Sequence, residues 1–319
     1  MTTFKEIKGT LIKSLSSDPS PAAAGEMWYN STSQTLKGQL PVTAWSSAPA
    51  PAVNVDSFSS GGTQTAAILS GSAGANPANA AKAEEYDGSS WTALTDMPAA
   101  YGYNVSCGTV SDWASMGGGY PTNVSTVYDW NGSGWTTGAA LPAASIEAGV
   151  CGPGQQALYV GGYGGGFLSR TSERSGGSWT NTGNLNTARY AANATGTKAD
   201  ALCSGGYGPG AYNSTSESYN GSSWTNSTAM PAARGYAGAA GSSSDDQFLF
   251  GGSATGSNGT TSIKWNGTSW SADASLATAK AGLGGFGSST AALCGGSGNS
   301  PGASEEYNDG PATKTFTTS

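Results

Sequence analysis

Residues 201–234 read ALCSGGYGPGAYNSTSESYNGSSWTNSTAMPAAR and contain the features that recur along this chain. A short apolar run ends in the pair Gly205-Gly206, and Tyr219 is followed by the dipeptide Asn220-Gly221. Trp224 stands five residues after Tyr219. Short apolar runs separated by Gly-containing dipeptides predict β-strands joined by tight turns.

These features recur with a period of 44 to 46 residues. The tryptophans that keep this period are Trp45, Trp91, Trp135, Trp179, Trp224 and Trp270. The pairs of small residues between them are Ser70-Gly71, Gly117-Gly118, Gly161-Gly162, Gly205-Gly206, Gly251-Gly252 and Gly295-Gly296. A fixed period of this length is typical of a protein built from repeated supersecondary units.

Each repeat predicts four strands. The first follows the Trp, as in 103–108, the second ends in the Gly pair, the third ends five residues before the next Trp, and the fourth contains that Trp. The third and fourth are separated by Asp87-Gly88, Asn131-Gly132, Ser175-Gly176, Asn220-Gly221 and Asn266-Gly267. Asn-Gly and Asp-Gly favour two-residue hairpins because their positive φ values match the strand twist. The repeats therefore predict an all-β chain folded as a six-bladed β-propeller.

The pattern resembles the kelch repeat over residues 45–308. The shared features are the Gly pair, the Tyr, the Trp, a Met-Pro turn at Met230-Pro231 and the basic residue Arg234. Arg189 and Lys280 hold the same basic position, whereas Tyr101 and Ser145 replace it in two other repeats. Galactose oxidase shares kelch repeats, but its copper chemistry needs His ligands, and this chain has no His. The resemblance thus implies the fold without that activity.

The two ends of the repeat region are expected to share one sheet. Tyr307 continues the series of large residues, but Ala312 stands five residues later where a Trp is expected. Trp45 has no Gly pair before it, so we expect its strand to complete the last blade and close the ring. The alternative is that residues 314–318 supply this strand. The predicted domains are residues 1–40, an anchoring arm with a hairpin, and residues 41–319, the propeller.

Composition argues against an enzyme, a metal site and a cofactor. The absence of His removes Ser-His and Cys-His nucleophile systems and most zinc and copper sites. Cys107, Cys151, Cys203 and Cys294 fall on predicted strands and are interpreted as small buried hydrophobes. The Glu84-Glu85 and Glu305-Glu306 pairs occupy matching repeat positions, which indicates structural placement. The net charge of −7 predicts no binding to nucleic acid.

The loops after the Gly pairs are the predicted ligand-binding segments, because they vary while the strands repeat. The aromatic residues in them are Tyr120, Tyr163, Phe167, Tyr207 and Tyr212. Aromatic faces among Gly, Ser and Asn suit stacking on sugar rings. The alternative interpretation is that these rings pack against neighbouring blades.

The first 40 residues do not follow the repeat. Phe4, Ile7, Leu11 and Leu15 have helical spacing, although Gly9 and Thr10 favour an extended arm equally well. Residues 25–38 predict a hairpin. This region resembles the N-terminal parts of structural proteins of tailed bacteriophages, notably marine cyanobacterial ones, which are often followed by kelch-like repeats.

The resemblance implies a non-enzymatic virion protein, as a decoration, fibre or tail-associated component. Residues 1–40 would bind other virion proteins, the propeller would bind a host-surface glycan or protein, and the chain would be oligomeric in the particle. The sequence has neither the apolar start of a secretory signal nor a membrane-spanning run, which predicts synthesis in the host cytoplasm. The alternatives are a cellular kelch-type interaction module and a glycan-processing enzyme.

Overall fold

A computed structural model describes residues 12–23, 25–52, 59–71, 80–119, 122–254, 257–296 and 304–316. This part of the chain is all-β, with one 3-10 turn at Gly154–Gln156 between strands. Its residues divide into two compact units, one formed by residues up to Ala44 together with those from Asn308 onward, and one formed by Trp45–Tyr307. The predicted boundary at residue 40 stays a prediction.

The first unit contains β1 (Lys13–Leu15), β2 (Met27–Asn30) and most of β3 (Thr35–Ala48). β1 pairs in parallel with β2, and β2 pairs antiparallel with β3 to form a hairpin. Leu15 is therefore extended, while Phe4, Ile7 and Leu11 lie outside the described residues. The Asp18 carboxylate accepts hydrogen bonds from Lys37 Nζ at 2.6 Å, Asn30 Nδ2 at 2.7 Å and Trp28 Nε1 at 3.0 Å. These bonds, led by that from Lys37, lower the pKa of Asp18 to about 2.

In the described residues, the second unit contains five four-stranded antiparallel sheets and contributes strands to a six-stranded sheet. The first comprises β4 (Ser60–Thr63), β5 (Ala66–Ser70), β6 (Ala83–Tyr86) and β7 (Trp91–Ala93). The second comprises β8 (Val105–Thr109), β9 (Asp112–Met116), β10 (Val127–Trp130) and β11 (Trp135–Thr137). The third comprises β12 (Gly149–Cys151), β13 (Leu158–Val160), β14 (Thr171–Ser175) and β15 (Ser178–Asn181).

The next two sheets each enclose a small hairpin between their second and third strands. The fourth sheet comprises β16 (Asn193–Thr197), β17 (Asp200–Ser204), β20 (Ser216–Tyr219) and β21 (Trp224–Ser227), with the hairpin β18 (Tyr207–Gly208) and β19 (Ala211–Tyr212). The fifth comprises β22 (Gly238–Ser243), β23 (Asp246–Phe250), β26 (Ser262–Trp265) and β27 (Trp270–Asp273), with the hairpin β24 (Ser253–Ala254) and β25 (Ser257–Asn258).

The last sheet joins strands from both ends of the chain. Its order is β1-β2-β3-β30-β29-β28, where β28 is Gly284–Gly287, β29 is Ala291–Gly295 and β30 is Ser304–Phe316. β3, which carries Trp45, is thus the neighbour of β30. Residues 314–316 belong to β30 itself, so they continue the third strand of this sheet and do not supply a separate fourth strand.

The core lies between consecutive sheets. One cluster joins Leu158 and Val160 of the third sheet to Cys203, Tyr219 and Trp224 of the fourth, all less than 7% exposed. The second strand of each sheet is the most buried, which explains the apolar run before each Gly pair. All four cysteines are buried and free, as expected, and burial raises the pKa of each thiol, for Cys294 to about 12.

The repeated tryptophans also link the sheets by hydrogen bonds. Trp135 Nε1 donates to Thr95 O at 2.8 Å, and Trp179 Nε1 donates to Ala139 O at 2.9 Å. Trp45, Trp91 and Trp270 make the same kind of bond to a backbone carbonyl, and Trp224 donates to Thr171 Oγ1 instead. The Trp period therefore reflects packing of each sheet on its neighbour.

The first strands of the sheets contact one another in order. β4 contacts β8, β8 contacts β12, β12 contacts β16, β16 contacts β22 and β22 contacts β28. β28 in turn contacts β4. Each of these strands contains a glycine with positive φ or is directly followed by one, and these glycines are not part of the Gly pairs. They are Gly62, Gly108, Gly152, Gly196, Gly241 and Gly287.

We expect Gly196→Ala to lower the free energy of unfolding by about 2–3 kcal/mol, because left-handed strain adds to overpacking. Gly196 has φ +108°, and a Cβ there would come within 2.3 Å of Asp200 O. Gly210→Ala is the matched control, since Gly210 has φ +91° but open space around it, and should cost about 1 kcal/mol. Urea unfolding followed by Trp fluorescence measures both. Equal losses for the two variants would contradict the proposed clash.

Candidate functional site

A chain of left-handed residues lies just before the first strands. Tyr103, Glu147, Ala191, Tyr236 and Gly282 have φ values of 58°, 54°, 52°, 59° and 65° and share one position of the repeat. Glu147 N donates to Tyr103 O, Ala191 N to Glu147 O, Tyr236 N to Ala191 O, and Gly282 N to Tyr236 O, at 2.7 to 3.2 Å. Because these bonds run from one sheet to the next, they hold the starts of the first strands together.

A cavity lies between the six first strands, with an empty volume of about 900 Å³ including its open ends. Most of its lining is Gly, Ala and Ser, because close approach of the first strands leaves room for small side chains only. Glu147, Ala191 and Tyr236 of the left-handed chain also line it. Among the described lining residues, Glu147 is the one that carries a charge.

Six half-buried aromatic rings form a continuous cluster next to this cavity. We call it the aromatic patch, and its members are Tyr163, Phe167, Tyr190, Tyr207, Tyr212 and Tyr236. Each ring lies 5.1 to 6.3 Å, centroid to centroid, from at least one other member. Tyr236 belongs to both the patch and the cavity lining.

The centre of the patch is a stack of near-parallel rings. Phe167 lies over Tyr190 at 5.7 Å with an interplanar angle of 17°, and beside Tyr207 at 6.1 Å with an angle of 30°. Tyr163 meets Phe167 edge-on, and Tyr236 meets Tyr190 edge-on. Offset stacks and edge contacts are the favoured arrangements of aromatic rings. Since every member stays partly exposed, the patch offers apolar faces with phenol hydroxyls beside them.

Backbone pairing between neighbouring loops positions these rings. Tyr207 and Tyr212 are opposite each other in the β18–β19 hairpin. Isolated bridges join Tyr163 to Phe167 and Tyr190 to Tyr207. Gly162 N also donates to Arg189 O at 2.9 Å, so a main-chain contact ties the loop of the third sheet to the segment that precedes the fourth.

The buried residue at the basic position of the repeat helps to fix the segment next to the aromatic patch. Arg189 and Glu217 are both fully buried and are joined by an ion pair of 2.7 Å, and Arg189 also donates to Thr215 Oγ1. Glu217 in turn accepts the backbone N–H groups of Asn186 at 2.7 Å and Thr187 at 3.2 Å. This network fixes the segment that leads into Tyr190.

When a different residue stands at the basic position of the repeat, the residue that it contacts also differs. Lys280 pairs with Glu305 at 2.8 Å, as Arg189 pairs with Glu217. Where Tyr101 replaces the basic residue, it stacks on Tyr128, which holds the position of the Glu. The interpretation of the Glu305-Glu306 pair as structurally placed is consistent with these contacts.

Burial keeps the inner phenols of the patch protonated. It raises the pKa of Tyr190 and Tyr236, and the negative charge of Glu147 raises both further. The hydroxyls of these two tyrosines also hydrogen-bond to each other. Both side chains are therefore neutral hydrogen-bonding groups over the ordinary pH range.

The structure brings four of the five predicted aromatic residues together, namely Tyr163, Phe167, Tyr207 and Tyr212. Tyr120 lies outside the described residues. The rings pack on each other and stay half-exposed, and the ligand-binding role stays a prediction. Sequence reasoning missed Tyr190 and Tyr236, although each follows a basic repeat residue by one or two positions.

No group of three or more His, Cys, Asp or Glu side chains in the described part of the chain is arranged to hold a metal ion. No described helix has the length and apolar character needed to cross a membrane. No protein-family model matches the chain, and no curated protein matches its sequence.

Proposed function

We propose that the six sheets are the blades of a closed six-bladed β-propeller. Three observations support this. The contacts between first strands return from β28 to β4, the backbone hydrogen bonds from Tyr103 to Gly282 run from sheet to sheet, and β3 lies beside β30. Closure by a strand from the other end of the chain completes the last blade, and a closed ring of blades leaves only short, protected strand edges. The cavity between the first strands is then the central channel.

We propose further that this propeller is a non-enzymatic binding domain whose aromatic patch takes a glycan. The observation that carries the proposal is the patch itself, six half-exposed rings around the stack of Phe167 on Tyr190. Pyranose rings present flat C–H faces that pack on aromatic faces, and their hydroxyls need hydrogen-bonding partners such as phenols and backbone groups. The main-chain bridges hold the rings in place, so little ordering entropy is lost on binding.

We also propose that the protein is a virion component and that its first unit binds other virion proteins. This rests on the resemblance to tailed-phage structural proteins, and the exposed apolar side chains of the first unit support it. Among described residues, the large hydrophobic side chains most open to solvent are Ile12, Tyr29 and Phe316, at 40%, 39% and 37% exposure. All three belong to that unit. Exposed apolar groups gathered on one unit are typical of a protein-binding surface.

We expect Phe167→Ala to weaken binding to host cells about tenfold, because the ring at the centre of the stack is lost. The measurement is co-sedimentation of the full chain with candidate host cells, with free sugars as competitors. Tyr29→Ala is the matched control, since it removes an exposed aromatic ring from the other unit and should leave cell binding unchanged.

The outcomes separate the proposals. Saturable binding that sugars compete away and Phe167→Ala weakens supports the glycan site. Binding that resists sugars but disappears when the cells are treated with protease would contradict it and indicate a protein partner. An inventory of purified particles that lacks this chain would contradict the virion proposal and leave the glycan site standing.

A further inference from the structure

The sheet of the first unit ends in an open strand edge. In the described residues β1 is the end strand of this sheet, and β2 is its neighbour. Leu15 O accepts a hydrogen bond from Ser31 N at 2.8 Å, so the main-chain groups of Leu15 point toward β2. Successive residues of a strand direct these groups to opposite sides, and the N–H and C=O of Ser14 therefore point away from β2. Ser14 is exposed, so this edge is a template for another strand.

One face of the same sheet is uncharged. The pairing of β1 with β2 and of β2 with β3 places Ser14, Tyr29 and Leu36 side by side on it. The alternation of side chains along the chain adds Ile12, two residues before Ser14. Ile12 and Tyr29 are 40% and 39% exposed. We call the face formed by these four residues the open face.

The charged side chains of these strands lie on the opposite face. Lys13 and Lys37 are both paired in register with Trp28, which is fully buried. Lys37 Nζ lies 2.6 Å from Asp18 Oδ2, and Lys13 Nζ lies 3.4 Å from Glu26 Oε1. The sequences of β1, β2 and β3 contain no charged residue besides the two lysines. No charge from these strands therefore opposes the approach of a second sheet edge beside the open face.

We propose that β1 pairs antiparallel with β1 of a second copy of this chain, about a two-fold axis at Ser14. The two Ser14 residues then exchange both of their main-chain hydrogen bonds, as a hydrogen-bonded pair of an antiparallel ladder does. Such a contact is isologous, because each copy contributes the same residues. The open faces of the two copies become continuous, with the small Ser14 side chains between the two Tyr29 rings. The inference goes beyond the proposed function, since the partner is another copy of this chain and not another virion protein.

Electrostatics favour a second copy at this edge. In the register centred on Ser14, Lys13 of one copy faces Leu15 of the other, so like charges are not directly opposite. A register centred on Lys13 would instead bring two ammonium groups together. The negative charge of the chain, −7 in all, lies outside residues 1–40, which contain four Lys and three acidic residues. Two copies therefore meet with least repulsion through this part of the chain.

Sedimentation velocity of the full chain over a range of concentrations measures the pairing, and we expect a monomer–dimer equilibrium. Ser14→Lys should weaken the dimer about fivefold, because two ammonium groups then face each other at the axis. Added salt should restore part of this loss, since it screens the repulsion. Thr92→Lys is the matched control, because Thr92 is exposed on the end strand β7 of the second unit, and it should leave the dimer unchanged.

Ser14→Pro should abolish the dimer and leave the first unit folded. Proline removes the N–H that points to the open edge, and an edge strand tolerates proline where its N–H faces solvent. Leu15→Pro is the contrasting variant, because it removes an N–H that points toward β2. Amide hydrogen exchange in β2 checks the fold, and its protection should be kept in Ser14→Pro and reduced in Leu15→Pro.

Three outcomes would overturn the inference. The first is a monomer at every concentration, and the second is a dimer that both Ser14 variants leave unchanged. The third is a dimer that Tyr29→Ala abolishes and Ser14→Lys does not, which would show that the copies pack face to face. The glycan site and the virion proposal fail separately, because the cell-binding assay and the particle inventory test them.

Discussion

Arg189→Met is expected to lower the free energy of unfolding by about 3–5 kcal/mol, because it leaves the Glu217 carboxylate buried without its counter-charge. Both side chains of the pair are 0% exposed, so solvent cannot replace the lost partner. Asn186 and Thr187 would still donate to Glu217, but neutral N–H groups offset only part of the cost of a buried charge. Urea unfolding followed by Trp fluorescence gives the free energy directly.

Two variants control this result. Lys82→Met removes the cation of an exposed pair with Asp96, whose side chains are 41% and 48% open, and should cost at most about 1 kcal/mol. Adding Glu217→Gln to Arg189→Met should recover part of the loss, because no charge stays buried. The amide oxygen then accepts one of the two backbone N–H bonds, which Glu217 takes on its two different carboxylate oxygens. A loss as small as that of Lys82→Met would show that the pair is not buried in solution.

Trp45→Ala is expected to destabilise the protein by a comparable amount, about 3–5 kcal/mol, because it removes a large, partly buried ring that packs against the core cluster of the fifth and last sheets. The ring of Trp45 packs on Phe250 at 4.8 Å, Tyr307 at 5.2 Å and Phe248 at 5.8 Å. Its Nε1 donates to Ala274 O at 2.9 Å. These contacts join residues more than 200 positions apart in sequence to the strand that closes the proposed ring.

Trp45→Phe is the matched variant, since it keeps an aromatic ring and loses the hydrogen bond to Ala274 O. It should cost about 1–2 kcal/mol. The same urea titration measures both variants. If Trp45→Ala cost less than about 1 kcal/mol, the N-terminal strand would not be part of the cooperative fold, and closure of the ring by β3 would be contradicted.

The strands of each repeat follow from local sequence. The Gly pairs, the Asn-Gly turns and the Trp series predicted all-β units of four strands, and the four-stranded antiparallel sheets agree with that prediction. Local sequence succeeds here because a two-residue hairpin needs particular φ values that few residues adopt. The bounds were less accurate, since the predicted strand at 103–108 is observed at Val105–Thr109.

The glycines of the first strands show why part of the pattern was missed. Gly196 repeats as regularly as Gly205-Gly206, but nothing beside it in sequence marks its role. Glycine is required at this position because Asp200 O occupies the space that a Cβ would take once β16 pairs with β17. Such a constraint arises from a neighbouring strand, so the chain around the glycine does not reveal it.

The aromatic patch, too, was predicted from the sequence only in part. Tyr163, Phe167, Tyr207 and Tyr212 were predicted because they stand in variable loops after the Gly pairs. Tyr190 and Tyr236 precede first strands and were not singled out by the repeat pattern. They join the patch because the third, fourth and fifth sheets bring their loops together at the end of the cavity.

By itself, the sequence determined the repeat, the turn residues, the buried strands and the absence of His-based chemistry, because each of these depends on residue type and short-range spacing. Only the tertiary structure decided which side chains meet. The pairing of Arg189 with Glu217 joins residues 28 positions apart. The place of Glu147 beside Tyr190 and Tyr236 and the contact of Trp45 with Tyr307 join different repeats or opposite ends of the chain. Contacts of that kind depend on how whole sheets pack, and residue spacing within one repeat carries no information about them.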